Sequence, residues 1–290
     1  MDVSNFGSDV KVAVIPAAGF GTRLLPATKV ISKELFPIYN RPAIHITVSE
    51  CVKAGIKEII LVLSQRKMDI LRYFEKDNEL ESFLEEKGKK NLLAPLEIFK
   101  DVKIDYVIQE KQNGLGDAVL CAREKVGQRN FAVLLPDDIY ILSDGRPTIS
   151  ILIEKFLELR QKGEINPKVV LLLRNVPKEK VKNYGVVYIK KRMGNFLIVG
   201  GVVEKPEPEL APSRFAIVGR YVFSPEIFDW IQKEKPDEKG EIQLAGAIGN
   251  CSYSDTVVGV SLKGKWLDIG SPEGYVKANM FFAKNKRFLY

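Results

Sequence analysis

The chain has 290 residues, 46% hydrophobic and 28% charged, a mixture that supports a sizeable core and excludes a disordered chain. The formal net charge is +7, but basic and acidic residues are interleaved without a long basic block, so a mixed solvated surface is expected and no nucleic-acid partner. Cys51, Cys121 and Cys251 stand far apart without CxxC or metal-type spacing, which suits reduced packing thiols in a cytoplasmic protein, and no apolar run approaches the ~18 residues of a membrane span.

Residues 1–10 lack the charged-then-apolar pattern of a leader and read as a loose lead-in. KVAVIPA (11–17) is a β-branched apolar run that predicts a buried strand, broken by glycines. AIHITVSECVKAG (43–55) predicts a helix ended by Gly55, and KEIILVLS (57–64) a second buried strand. A polar, helix-prone region covers 66–88. Strand 103–109, helix 116–126 and strand 130–138 follow, the last running into two aspartates. A helix over 148–161 and a strand over 168–174 complete the strongly periodic part.

The remaining chain has shorter strands punctuated by Gly and Pro: YGVVYI, FLIVGGVVEKP and RFAIVGRYVF. SPEIFDWIQ and GEIQLAGAIG read as helices, and GVSLKGKWLDI as two short strands. SPEGYVKANMFFAKNK is a closing helix with Ser271 as cap and Pro272 in its first position. Alternating buried strands and amphipathic helices imply βαβ crossovers. The expected fold is α/β, a Rossmann-like, mostly parallel mixed sheet flanked by helices, with a smaller β-rich part. No Gly/Ser-rich linker and no repeat divides the chain, so one domain over 1–290 is expected, in halves of about 11–140 and 141–290.

Ligands of open α/β sheets gather at the carboxyl ends of the strands. The first strand ends in Gly19, Gly21, Thr22 and Arg23, where glycine amides and a forked cation suit phosphate. An ordinary glycine turn fits the same residues. Leu24 stands where a dinucleotide fingerprint needs glycine, and the GK[ST] of a Walker loop is absent. Lys33, in a loop held by Pro26 and Pro37, reads either as a solvated lysine or as one carried back over phosphates. Asp137 and Asp138 in LLPDD are hard oxygen ligands suited to Mg²⁺, or a simple turn. Gln109 can pair with a base edge, with Gly114 and Gly116 letting a flat base approach, or these residues serve a helix entry. Glu204 could accept from sugar hydroxyls, Lys205 could meet a phosphate and Asp268 could be a second metal ligand, though each alone reads as a surface charge or turn. His45 reads as a packed histidine, and no GxSxG or Cys/His arrangement suggests an acyl-enzyme. What remains is positional chemistry on anions: phosphoryl or nucleotidyl transfer by charge neutralisation and in-line geometry.

AVIPAAGFGTRLLPATKVISKELFPI, GLGDAVLCA, YGVV, GVVEKP, FAIVGRYVFS, GEIQL and WLDIGSPEGY occur in an order that resembles the sugar-1-phosphate nucleotidylyltransferases. The likeness runs from residue 11 to about 283 and is greatest to the bacterial and archaeal UTP–glucose-1-phosphate uridylyltransferases. It implies that Ala18, Gly19, Gly21, Thr22 and Arg23 wrap the UTP phosphates, that Lys33 neutralises the transition state, and that Gln109 and Gly114 read uracil. It implies Mg²⁺ on Asp137 and Asp268, glucose 1-phosphate on Gly185, Glu204 and Lys205, and a catalytic set of Arg23, Lys33 and Asp137. The first half would then bind nucleotide and the second the sugar phosphate, in a homo-oligomer (dimer or tetramer). The alternatives are dTTP or another sugar 1-phosphate, a non-catalytic nucleotide-sugar binder, and, weakest, a nicotinamide dehydrogenase. Two departures stand out. Ser32 replaces the proline most relatives carry before the lysine, which is expected to free the loop. Ala245 and Gly246 replace Thr-Asp at a helix start that meets sugar or a neighbouring subunit in relatives. The length leaves no room for the left-handed β-helix domain of some relatives.

Overall fold

The fold is that of a computed structural model, which describes residues 10–163, 165–254 and 256–289; of the lead-in expected over 1–10, residues 1–9 lie outside them and Val10 already belongs to the first strand. β1 (Val10–Pro16) is followed by a small hairpin, β2 (Pro37–Ile38) and β3 (Arg41–Pro42), and by α1 (Ala43–Lys53). β4 (Glu58–Leu63), α2 (Asp69–Arg72), α3 (Asn78–Glu86) and β5 (Lys103–Ile108) come next. Then come α4 (Leu115–Cys121), α5 (Arg123–Val126), β6 (Asn130–Leu134), β7 (Asp138–Leu142) and α6 (Thr148–Lys162). β8 (Pro167–Asn175), β9 (Gly185–Met193), β10 (Phe196–Glu204) and β11 (Phe215–Phe223) precede α7 (Ile227–Lys233) and α8 (Leu244–Ser254). β12 (Thr256–Ser261), β13 (Gly264–Asp268) and α9 (Pro272–Lys284) complete the order.

Alternation along the strands builds two cores, one on each face of the sheet. Ala13, Ile15, Ile59, Leu61 and Leu134 pack with Ile44 and Val48 of α1 and Leu152 and Phe156 of α6. Their sequence neighbours Val12, Val14, Ile60, Val62 and Val133 pack on the opposite face with Val119 of α4, Phe228 of α7 and Ile248 of α8. Both faces are covered, so these strands read as continuous apolar runs. Among the described residues nine strands form one sheet, in the order β5-β4-β1-β6-β11-β8-β12-β10-β9. β5, β4, β1 and β6 are mutually parallel, as are β8 and β12, and the other neighbours are antiparallel. The expected mixed sheet is therefore present, its parallel pairs concentrated in the first half of the chain. The chain leaves β1 towards β4 and β5 on one side and reaches β6 on the other, which puts the topological switch between β1 and β6.

Several expected elements shift. The strand expected over 130–138 stops at Leu134, since Pro136 has no N–H for a ladder, and Asp138 opens a separate strand, β7, paired with β13. The helix-prone region 66–88 is broken, because Asp77 caps a new helix by accepting from the Leu80 amide at 2.9 Å. The helix over 116–126 divides at Ala122, whose N–H reaches Val119 in a tightened turn at 3.1 Å. The helix expected from residue 240 starts at Leu244, because both backbone groups of Ile242 are engaged with Asn113 and Gly116. The closing helix agrees, with the Ser271 hydroxyl accepting from the Gly274 amide at 3.2 Å.

His45 is the packed histidine expected. It is 4% exposed, its Nδ1 lies 2.9 Å from the Tyr73 hydroxyl, and its ring meets Phe99 edge-on. Burial, with the charges of Arg41 and Lys53, lowers its pKa from 6.5 to about 4. A depressed value means that neutral His45 contributes stability above pH 6.5 that is lost as pH falls towards 4. We expect His45→Gln to flatten the stability curve across that window by about 3 kcal/mol, checked by urea unfolding at pH ~7.5 and ~4.5.

Candidate active site

The loop after β1 descends through three single-turn 3-10 segments, Thr22–Leu24, Ala27–Lys29 and Lys33–Leu35. Ala18 and Leu24 are buried and pin the loop to the core, leaving Gly19, Thr22 and Arg23 exposed. No atom lies within 4 Å of where a side chain on Gly19 would sit, so that backbone faces open space. Gly21 has φ of +68°, a conformation glycine adopts freely, and its carbonyl accepts from the Thr28 hydroxyl at 3.0 Å. Ser32 is not freed. It is 6% exposed and its hydroxyl donates to Asp69 Oδ1 at 2.8 Å, which corrects the expectation of a looser loop. Its φ of −59° is already that of proline.

Lys33 follows directly, its ammonium 2.5 Å from Asp137 Oδ2. Asp137 lies in the turn after β6. Its carbonyl accepts from the Ile269 amide at 2.8 Å, and the β7–β13 register sets Asp138 opposite Asp268. A side-chain carbon on Gly270 would lie 2.6 Å from Arg23 Nη2 and 3.2 Å from both Asp137 Oδ2 and Asp268 Oδ1. Three charged groups thus converge beside Gly270, and a side chain there would displace the Arg23 guanidinium and crowd both carboxylates.

The two neighbouring aspartates differ in state. Burial pushes the Asp137 carboxyl up, but Lys33 and Arg23 more than offset it and hold it below its ordinary value. Burial, then the charges of Asp137 and Asp268, raises Asp138 to about 7. Asp138 is taken up by structure, accepting from Trp266 Nε1 at 2.7 Å and the Gly219 amide at 3.2 Å. Lys33 is pushed down by burial, yet Asp137 and Glu34 raise it above its ordinary value.

The opposite wall comes from β9 and β10. Gly185 pairs with Glu204, and Glu204 carries the Lys205 ammonium at 2.8 Å. Lys205 has φ of +44°, uncommon for a non-glycine residue, and its amide donates to the Tyr184 carbonyl at 3.1 Å. Such strained backbone recurs at functional sites. A cleft of about 910 Å³ brings Thr22, Arg23, Asp137, Gly185, Glu204, Lys205 and Asp268 together, within the size range of small-molecule sites. Gln109 and Gly114 lie beside it. Gln109 is 4% exposed and its Nε2 donates to Asp117 Oδ2 at 2.7 Å and the Gly114 carbonyl at 3.2 Å. Gly114 has φ of +99°, and a side chain there would lie 2.7 Å from the Ile242 carbonyl, so what approaches this glycine closely is the chain itself.

Sequence reasoning missed Lys180, Lys182, Tyr184, Lys239 and Gln243, which also line the cleft. It missed buried Arg220 too, although a charged residue inside the apolar run FAIVGRYVF was a visible signal. Ala245 lines the cleft, but Gly246 answers to Glu234, whose Oε1 lies 2.2 Å from where a side chain would sit.

A family profile described as nucleotidyl transferase matches residues 12–285. The chain belongs to the nucleotidyl transferase family. UTP–glucose-1-phosphate uridylyltransferase 1 of Staphylococcus saprophyticus is 39% identical to it over 275 residues, 94% of this chain and 93% of its own. A Streptococcus pyogenes relative, UTP–glucose-1-phosphate uridylyltransferase 2, is 38% identical over 94% of this chain and 90% of its own. Among solved structures, a UTP-bound UDP-glucose pyrophosphorylase of Acinetobacter baumannii superposes with TM-score 0.84 at 37% identity, covering 95% of this chain and 94% of its own. A UDP-glucose pyrophosphorylase in complex with UDP-glucose gives 0.83 at 32% identity, covering 95% and 99%. The chain is thus a nucleotidyltransferase with the fold of the UDP-glucose pyrophosphorylases.

For a nucleotidyl transferase the crowding at Gly270 has a direct consequence. Gly270→Ala should push Arg23 aside while leaving the core intact. We expect kcat/KM to fall about 10- to 100-fold with the melting temperature within ~2 °C of wild type, read by steady-state kinetics and a thermal melt.

Proposed function

We propose that the protein transfers the uridylyl group of UTP to glucose 1-phosphate, giving UDP-glucose and releasing pyrophosphate. The observation that carries this is the meeting of Arg23, Lys33, Asp137 and Asp268 at the switch between β1 and β6, across one cleft from Gly185, Glu204 and Lys205.

The backbone amides of the loop over 18–22, which is exposed at Gly19, Phe20 and Thr22, and the Arg23 guanidinium hold the triphosphate and orient the pyrophosphate to leave. Lys33 neutralises charge that builds at the α-phosphoryl group. Glu204 accepts from the sugar hydroxyls, and Lys205 and Gly185 hold the sugar phosphate, whose oxygen attacks in line. That oxygen is already anionic, so no side chain need remove a proton. Gln109 meets uracil through Oε1: with Nε2 committed to two acceptors, the amide offers an acceptor to the N3–H of the base.

Asp137 and Asp268 fit a divalent cation. Asp137 Oδ2 and Asp268 Oδ1 each lie 3.2 Å from one point beside Gly270, and Mg²⁺ commonly takes one or two carboxylates and completes its shell with water and phosphate oxygens. Among the described residues no three His, Cys, Asp or Glu side chains form a cage, which suits a cation shared with substrate. Bound there, Mg²⁺ supplies electrostatic neutralisation of the phosphates. The same reading makes the protein a single-domain cytoplasmic homo-oligomer, dimer or tetramer, without nucleic-acid or membrane partners, its first half for nucleotide and its second for sugar phosphate. No described helix is long and apolar enough to cross a membrane.

Incubating UTP, dTTP, CTP and ATP each with several sugar 1-phosphates and Mg²⁺ tests the reading. UDP-glucose should be the main product, and its absence would refute the assignment. Lys33→Ala should lower kcat by about 10²- to 10³-fold with a smaller change in KM. Because Ser32 already has proline-like φ, Ser32→Pro should keep kcat within about threefold; a larger loss would show that the Asp69 bond matters to the chemistry.

A further inference from the structure

Lys33 stands between two carboxylates. Its ammonium is 2.5 Å from Asp137 Oδ2 and 4.0 Å from Glu34 Oε1. Glu34 is 2% exposed, and Lys67, itself 6% exposed, takes its other oxygen at 2.7 Å. Oε1 is buried and has no hydrogen-bond partner among the described residues. A buried carboxylate oxygen without a donor is costly unless a donor reaches it for part of the time. Lys33 is placed to do so, needing a shift of on the order of 1 Å to reach charge-assisted hydrogen-bond distance.

Asp137, meanwhile, gives Lys33 the oxygen that shares the space beside Gly270 with Arg23 Nη2 and Asp268 Oδ1. An ammonium and a divalent cation on that oxygen would repel each other strongly. We propose that Glu34 is the second seat of the Lys33 ammonium: Lys33 passes from Asp137 to Glu34 Oε1, which clears Asp137 for the cation. Glu34 is thereby a positioning residue for Lys33 and, through it, for the cation site. The proposal rests on the reading above that Asp137 holds a divalent cation.

The surroundings favour a fixed seat and a moving lysine. Glu34 is tied by Lys67 to the turn after β4, and Ser32, on the other side of Lys33, is tied by Asp69 to the same stretch. The backbone around Lys33 is thus anchored at both ends, leaving rotation of its long side chain as the cheap motion.

Mn²⁺ binding to the full chain, followed by electron paramagnetic resonance without substrate, tests this apart from turnover. Glu34→Gln removes the second seat and should weaken Mn²⁺ binding about fivefold. In a Lys33→Ala background the same change should have no effect, since no ammonium remains to be moved. Lys67→Gln keeps a donor on Glu34 but removes a competing charge, so Lys33 should favour Glu34 and Mn²⁺ should bind about threefold tighter. Unchanged binding in Glu34→Gln, or equal weakening with and without Lys33, would overturn the proposal. Should Glu34→Gln fail to fold, Lys67→Gln decides by its sign. Asp137→Asn separates the premise from the proposal: retained Mn²⁺ binding would mean that Asp137 is no ligand, whereas its loss beside a neutral Glu34→Gln would overturn the second seat alone.

Discussion

The site hangs on a buried ion pair whose own side chains do not line the cleft. Arg220 is fully buried on β11, and its Nε and Nη2 reach Glu50 Oε2 on α1 at 3.1 and 2.8 Å. Its Nη1 donates to the carbonyls of Leu135 and Gly219, both at 3.0 Å. The register of β11 against β8 slips between Val218 and Tyr221, and β6 ends just before Leu135. The Gly219 carbonyl accepts from the Leu135 amide at 2.9 Å, and an unpaired Leu135 carbonyl inside the protein would be costly. The guanidinium supplies donors to both. The other oxygen of Glu50 accepts from the Ile149 amide in the first turn of α6 at 3.0 Å, so one pair joins β11, the turn after β6 and two helices. Breaking a pair of this kind by removing one partner typically costs about 3–5 kcal/mol. The turn carrying Asp137 is placed by that brace.

From the brace outward, charge sorts the residues into roles. Asp137 and Asp138 are adjacent in sequence but face opposite company. Asp137 looks towards Lys33 and Arg23 and is held ionised; Asp138 looks towards the indole of Trp266, the Gly219 amide and two other carboxylates, and is pushed towards its neutral form. With one oxygen on the Trp266 indole and the other on the Gly219 amide, Asp138 serves as a strut. This division explains why LLPDD carries two aspartates with different partners. It also explains why the β7–β13 pairing matters: the register that buries Asp138 beside Trp266 delivers Asp268 to the mouth of the cleft.

The strands that build the cores were legible in the sequence because burial on both faces writes itself as an apolar run, as in residues 12–15 and 59–63. The closing helix was legible because its Ser-Pro start is local chemistry. β7 was not, since five residues after a proline gain a strand identity only from β13, more than a hundred positions away. The broken helices over 66–88 and 116–126 escaped because helix periodicity does not register where a cap or a tight turn resets it. In the candidate site, the charged residues of the opening signature were visible through their residue types. Glu34, Lys67 and Glu50 were not, and Arg220 showed only as a charge inside an apolar run, because the role of each is defined by a partner 33 or 170 positions away.

Ser32 shows how far a departure from a familiar pattern can mislead. Read locally, serine in place of proline adds conformational freedom to the unfolded loop. In the folded chain its hydroxyl finds Asp69 inside a nearly closed surface, and the backbone adopts the angle proline would impose. A hydrogen bond to a second segment thus replaces a covalent ring as the restraint ahead of Lys33. The two restraints differ in what they couple. Proline stiffens only its own residue, whereas the Ser32–Asp69 bond makes the position of the lysine loop depend on the stretch that also carries Lys67. Since Lys67 holds Glu34, the groups on either side of Lys33 answer to one structural element. That coupling is available to this chain because residue 32 has a side-chain donor.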